Sequence, residues 1–86
     1  MQLTAELSLY PLSENYIDIV LAFIDSLEQH HTLTIRRNAM STQISGNSNT
    51  VMHVIQSALS ESFERFGRQV LTVKFIPGEF SLDPTE

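Results

Sequence analysis

Glu6, Ser8 and Tyr10 stand at alternate positions of one segment, and Ser41, Thr42 and Gln43 stand in a row in another. A carboxylate accepts hydrogen bonds, a hydroxyl donates and accepts, and an amide does both from opposite ends. A phenol adds a flat face and a polar tip. These are short groups suited to hydrogen-bonding a small polar molecule. Catalytic and metal chemistry find less support. Glu6 could act as a general base, but Lys74 is the only second titrating group visible beside it. The chain has no cysteine, and none of its three histidines falls with Ser8 or Ser41. His30 and His31 are neighbours at a helix end, so they point in different directions and lack an acidic partner at ligand spacing. Their simplest role is to meet the negative end of that helix. His53 reads as a surface residue. Gly46, Gly67 and Gly78 form no phosphate-cradling loop.

The elements that must position these groups are legible from period and stop signals. Leu3, Ala5, Leu7 and Leu9 alternate with Thr4, Glu6, Ser8 and Tyr10, the pattern of a half-buried strand that ends at Pro11. Ile17, Val20, Leu21, Ile24 and Leu27 predict an amphipathic helix over 14–29, capped by Ser13 or Asn15. Leu33 to Arg36 alternates as a second strand. Asn38-Ala39 is the expected turn, since Asn tolerates positive φ, and Met40 to Ser45 is a third strand. Gly46 to Asn49 reads as a turn with a capping cluster. A second helix follows over 50–66, with Val51, Val54, Ile55, Ala58, Leu59, Ser62 and Phe66 inward and Gly67 just past its end. Val70 to Ile76 is the fourth strand, and Pro77-Gly78 ends it. The tail from about residue 77 to Glu86 reads as an extension or a frayed end.

The order β-α-β-β-α-β, with right-handed crossovers, predicts a ferredoxin-like α+β sandwich. Its four-stranded antiparallel sheet has order 4-1-3-2 and carries both helices on one face. Leu3, Ala5, Leu7, Leu9, Leu33, Ile35, Ile44, Leu71, Val73 and Phe75 should face the helices, with Met40 and Met52 as core filler and Phe63 in the core or in a helix-side contact. Thr4, Glu6, Ser8, Tyr10, Thr34, Arg36, Ser41, Gln43, Ser45, Thr72 and Lys74 should then share the open face. Glu6 falls on a central strand with Gln43 on its neighbour. A second subunit or a ligand could cover both.

Eighty-six residues suit a single domain over 1–86, which buries only about 60 % of its unfolded surface. Association is therefore expected, as a homodimer or homotetramer. A net charge of −5 with five basic residues argues against nucleic acid, which needs a clustered basic surface. No apolar run approaches the roughly 20 residues of a membrane span, and the first residues lack the pattern of a signal peptide. The expected setting is cytoplasmic.

The segments Ala5-Glu6-Leu7-Ser8-Leu9-Tyr10-Pro11-Leu12 and Met40-Ser41-Thr42-Gln43-Ile44-Ser45-Gly46 resemble the YkoF-like family of thiamine and hydroxymethylpyrimidine binders. A last strand like Val70-Leu71-Thr72-Val73 completes the likeness, which runs from residue 3 to residue 76. Asn38-Ala39 departs from the Gly-Pro common at that point, and the last strand continues into Lys74-Phe75-Ile76-Pro77-Gly78. The resemblance implies a ferredoxin-like fold, assembly through sheets, no catalysis and no cofactor. It also implies binding of the aminopyrimidine of thiamine or a precursor. Glu6 would then accept from the exocyclic amine or pair with a protonated ring nitrogen. Gln43 would donate and accept, Ser8, Ser41 and Thr42 would be adaptable partners, and Tyr10 would stack. Thr34, Arg36 and Thr72 would form the rim.

Two other classes stay open on the residues alone. One is an interaction domain whose polar sheet face meets only its own copy. The other is a cofactor-free dimeric α+β barrel enzyme, which needs an apolar cavity and a positioned histidine, neither evident in the chain.

Overall fold

A computed structural model describes residues 1–78 of the chain. The elements are β1 (Gln2–Pro11), α1 (Tyr16–Glu28), β2 (Thr34–Arg37), β3 (Thr42–Asn47), α2 (Ser48–Phe66) and β4 (Gln69–Pro77). The sheet order is β2-β3-β1-β4 and every pairing is antiparallel. The ferredoxin-like α+β layout expected from the periodicities is the one observed. The expected tail beyond Gly78 lies outside the described residues.

The period-2 pattern of β1 sets the faces. Leu3, Ala5 and Leu7 are buried beneath the helices together with Ile44, Phe23, Leu27, Val51, Val54, Ile55 and Ala58, while Leu9, Ile35, Leu71 and Val73 pack partly against them. Burial of one such side chain stabilises by about 1.5–3 kcal/mol. A one-residue slip would turn the whole set to the other face, so the register is strongly specified. Glu6 lies between Gln43 on β3 and Lys74 on β4, as its place on a central strand predicts.

Several expectations are corrected. On α1 the buried stripe is Ile19, Phe23 and Leu27, whereas Ile17 and Leu21 are exposed. The helix is apolar nearly all round, so its sequence admits more than one inward phase. Asn15 occupies the N-cap position of α1 without a side-chain cap bond, and the Ser13 hydroxyl accepts from the Asn15 amide instead. Gly46 is no turn residue: it lies within β3 opposite Leu3, and β3 runs directly into α2. Asn47 caps α2 by accepting from the Asn49 amide. Gly67, at φ 85°, closes the other end of α2 with its amide on the Phe63 carbonyl, a conformation glycine adopts at little cost.

Met40, Met52 and Phe63 are exposed rather than core residues. Phe75 shares the helix-side face in register, opposite Ala5, yet it is exposed because it lies on the outer strand of the sheet. The open face is also less polar than expected. Val70 and Ile76 join it opposite Tyr10 and Thr4, and both are exposed. Thr4 and Ser45, expected on that face, are buried there: their hydroxyls hydrogen-bond each other at 3.1 Å, and Thr4 donates to the Gly78 carbonyl.

Candidate functional site

The segment between β2 and β3 builds the site. Asn38 to Ser41 forms no strand. The Asn38 side-chain oxygen accepts from the amides of Met40 and Ser41, at 2.8 and 3.0 Å. The turn is therefore held by an Asx-type side chain and not by positive φ, which no described non-glycine residue adopts. The Asn38 amide closes the loop on the Ser41 carbonyl. Ser8 tethers the loop to β1 by donating to the Met40 carbonyl at 3.4 Å.

Two consequences follow from β3 starting only at Thr42. First, Ser41 is free to turn toward β1, where its hydroxyl donates to Glu6 Oε2 at 3.1 Å. Gln43 Nε2 donates to the same oxygen at 3.3 Å, and Lys74 Nζ stands 3.8 Å from Oε1. The Gln43 amide, then the Ser41 hydroxyl and the Lys74 charge, hold the Glu6 carboxyl below its ordinary value, against a smaller opposing effect of burial.

Second, the last pairing between β1 and β3 is Leu7 with Thr42, while β1 runs on along β4 as far as Pro11. Beyond Leu7 that edge of β1 has no strand partner. A cavity of about 250 Å³ opens there, lined by Leu7 to Tyr10, by Val20, Phe23 and Ile24 of α1, and by Asn38 to Thr42. It wraps round the free strand edge, with Leu7, Leu9 and Thr42 from the helix side and Ser8 and Tyr10 from the open face. One wall is apolar and the other carries hydroxyls, the mixture typical of small-molecule sites.

The nine residues expected at the site are thus divided. Glu6, Ser41 and Gln43 form one hydrogen-bonded cluster. Ser8, Tyr10, Ser41 and Thr42 border the cavity, and Ser41 belongs to both groups. Thr72 lies opposite Ser8, and its hydroxyl donates to the Ser8 carbonyl at 3.5 Å. Arg36 lies beside Gln43 on the outer strand β2. Thr34 stands apart, lining with Arg36, His30 and His31 an open depression at the far edge. Thr42 is buried, as its helix-side register requires.

Sequence reasoning missed Val20, Phe23, Ile24, Asn38, Ala39 and Met40 as site residues, and it had Leu7 and Leu9 only as core. The position of Asn38, with its local hydrogen-bonding side chain, was the available signal for a shaped loop. A cavity with one apolar wall, not evident from the sequence, is present, and none of the three histidines lines it. Among the described residues no group of three metal-ligating side chains occurs. No described helix is long and apolar enough to cross a membrane.

Comparison with solved structures gives the same fold at low identity. A Streptococcus pneumoniae protein superposes with a TM-score of 0.85 at 21% identity, covering 92% of this chain and 89% of that one. A hypothetical protein from Methanocaldococcus jannascii gives 0.78 at 22% identity, over 93% and 84%. A Thermotoga maritima protein named for thiamine biosynthesis/salvage gives 0.80 at 13% identity, over 87% and 82%. No curated protein matches the chain significantly. The family model described as the YKOF-related family matches residues 2–78, the stretch that holds the whole sheet, both helices and the cavity, and the chain belongs to that family.

Proposed function

We propose that the chain binds thiamine or its hydroxymethylpyrimidine precursor, without catalysis, as a homo-oligomer. The observation that carries this reading is the cavity at the free edge of β1, where Ser8, Ser41 and Thr42 meet the apolar wall of Val20, Phe23 and Ile24. An aminopyrimidine is flat, with ring nitrogens that accept and an amine that donates. Its faces would rest on the apolar wall and on Tyr10, and its edge would exchange hydrogen bonds with the hydroxyls and the unpaired strand edge. Glu6 then acts chiefly by holding Ser41 in place through the 3.1 Å bond. The relative from Thermotoga maritima, named for thiamine biosynthesis/salvage, supports the same ligand class.

Isothermal titration with thiamine and with hydroxymethylpyrimidine tests the reading. Micromolar binding of either, weakened in Glu6→Gln, is expected. No heat with either, at protein concentrations that keep an oligomer intact, would refute it.

The homo-oligomer draws support from Val70 and Ile76, exposed on the open face, and from Phe75 on the same outer strand. Apolar side chains on an outer strand favour contact with another copy. An interaction domain without a ligand is the second reading those residues favour. Sedimentation decides the assembly: a monomer at tens of micromolar would refute it. Activity as an enzyme is not proposed, since no histidine lines the cavity and Glu6, outside it, has only Lys74 as a titrating neighbour.

A further inference from the structure

We infer that the site selects the unphosphorylated ligand and rejects its phosphate esters; this rests on the proposed function. The cavity wall carries hydroxyls, one amide and apolar side chains, but no lysine, arginine or histidine. A phosphate monoester bears close to two negative charges near neutral pH. Such a group needs fixed donors or cations wherever it leaves water.

The basic residues of the chain are Arg36, Arg37, Arg65, Arg68 and Lys74, and residues 79–86 contain none. Arg37 stands 3.8 Å from Glu28, Arg65 lies beside Glu61 and over the Phe66 ring, and Lys74 faces Glu6. Arg36 donates to the Ile35 carbonyl on the outer strand. Arg68 meets the end of β1 through its carbonyl, which accepts from Leu12. None of these side chains borders the cavity. The net charge of −5 opposes an anion further.

Size points the same way. At about 250 Å³ the cavity falls just below the range of roughly 300–1,000 Å³ usual for drug-sized ligands. It holds a single substituted ring, so a phosphate attached close to that ring has no cation beside it in the cavity wall. A phosphate there meets the loop amides of Met40 and Ser41 only after Asn38 has taken them. The cavity therefore fits a neutral or cationic aminopyrimidine ring better than one that carries a phosphate.

The test compares hydroxymethylpyrimidine with its phosphate ester, and thiamine with thiamine diphosphate, by titration calorimetry on the full chain. Each phosphorylated partner is expected to bind at least about tenfold more weakly than its free form. The gap should persist at 0.5 M salt, about where long-range repulsion is screened. Binding of a phosphate ester within about twofold of the free form would overturn the inference and leave the proposed function standing. Absence of binding by either free form would overturn both. Ala39→Lys, which places a cation at an exposed position of the cavity lining, should narrow the gap several-fold; an unchanged gap would overturn the assignment of selectivity to the uncharged wall.

Discussion

Replacement of Thr42 by valine should move stability and ligand affinity in opposite directions. Thr42 is only 5 % exposed, faces the helices opposite Leu7 and borders the cavity. Its hydroxyl takes no part in the cluster around Glu6. No side-chain hydrogen bond of Thr42 occurs among the described residues, and none of their fully buried polar atoms lacks a partner, so this hydroxyl keeps some contact with solvent in a residue that lines the cavity. A buried hydroxyl without a protein partner costs about 1–3 kcal/mol by mutational measures. Water in the cavity offsets much of that, which leaves a gain for valine of about 0.5–1 kcal/mol. In a chain of 86 residues, each kcal/mol raises the melting temperature by roughly 4–8 °C. Loss of one hydrogen bond to the ligand should cost about 0.5–1.5 kcal/mol of affinity, or roughly 2- to 13-fold. Differential scanning calorimetry of the free protein reads the first effect, and titration with hydroxymethylpyrimidine reads the second. A variant that melts lower while binding unchanged would show the hydroxyl to be structural and refute the reasoning.

Other outcomes follow from the same geometry. The Glu6 carboxyl is held below its ordinary value of 4.5 by Gln43, Ser41 and Lys74, so its stabilising contribution is complete above that value and is lost as pH falls through the lower folded value. Glu6→Gln should therefore flatten the acid side of a urea-denaturation profile measured from pH 7 to 3; an unchanged slope would contradict the cluster. Leu27→Ala removes a side chain with no exposure from the helix–sheet core, and chemical denaturation should show a loss of about 2–5 kcal/mol. The two helix N-termini should differ. Asn47→Ala loses the bond to the Asn49 amide and about 1 kcal/mol, whereas Asn15→Ala, with no cap bond to lose, should stay within about 0.5 kcal/mol of wild type.

Most of the sheet was legible in the sequence because alternation is a strict code. Leu3, Ala5 and Leu7 on one side, with Glu6 beside Gln43 on the other, need only period 2 and the two hairpin-or-crossover rules. The ends were less legible. The strand expected from Met40 begins at Thr42, because the Asn38 side chain captures the amides of Met40 and Ser41 before the ladder can. Ser41, expected on the open face of a strand, therefore reaches Glu6 from a loop instead.

The division has a physical cause. Strand faces, helix order and the polar group around Glu6 depend on near neighbours and on repeat period, and these are written in the residue types. The inward phase of α1 depends on which of its many apolar residues the sheet can cover, and Ile17 and Leu21 lost that competition to Ile19 and Phe23. The cavity depends on one strand outrunning another by a few residues, so that α1, β1 and the loop before β3 surround a space none of them encodes alone. Such differences in length and phase are decided by the sum of contacts across the whole core, and they appear only once the chain has packed.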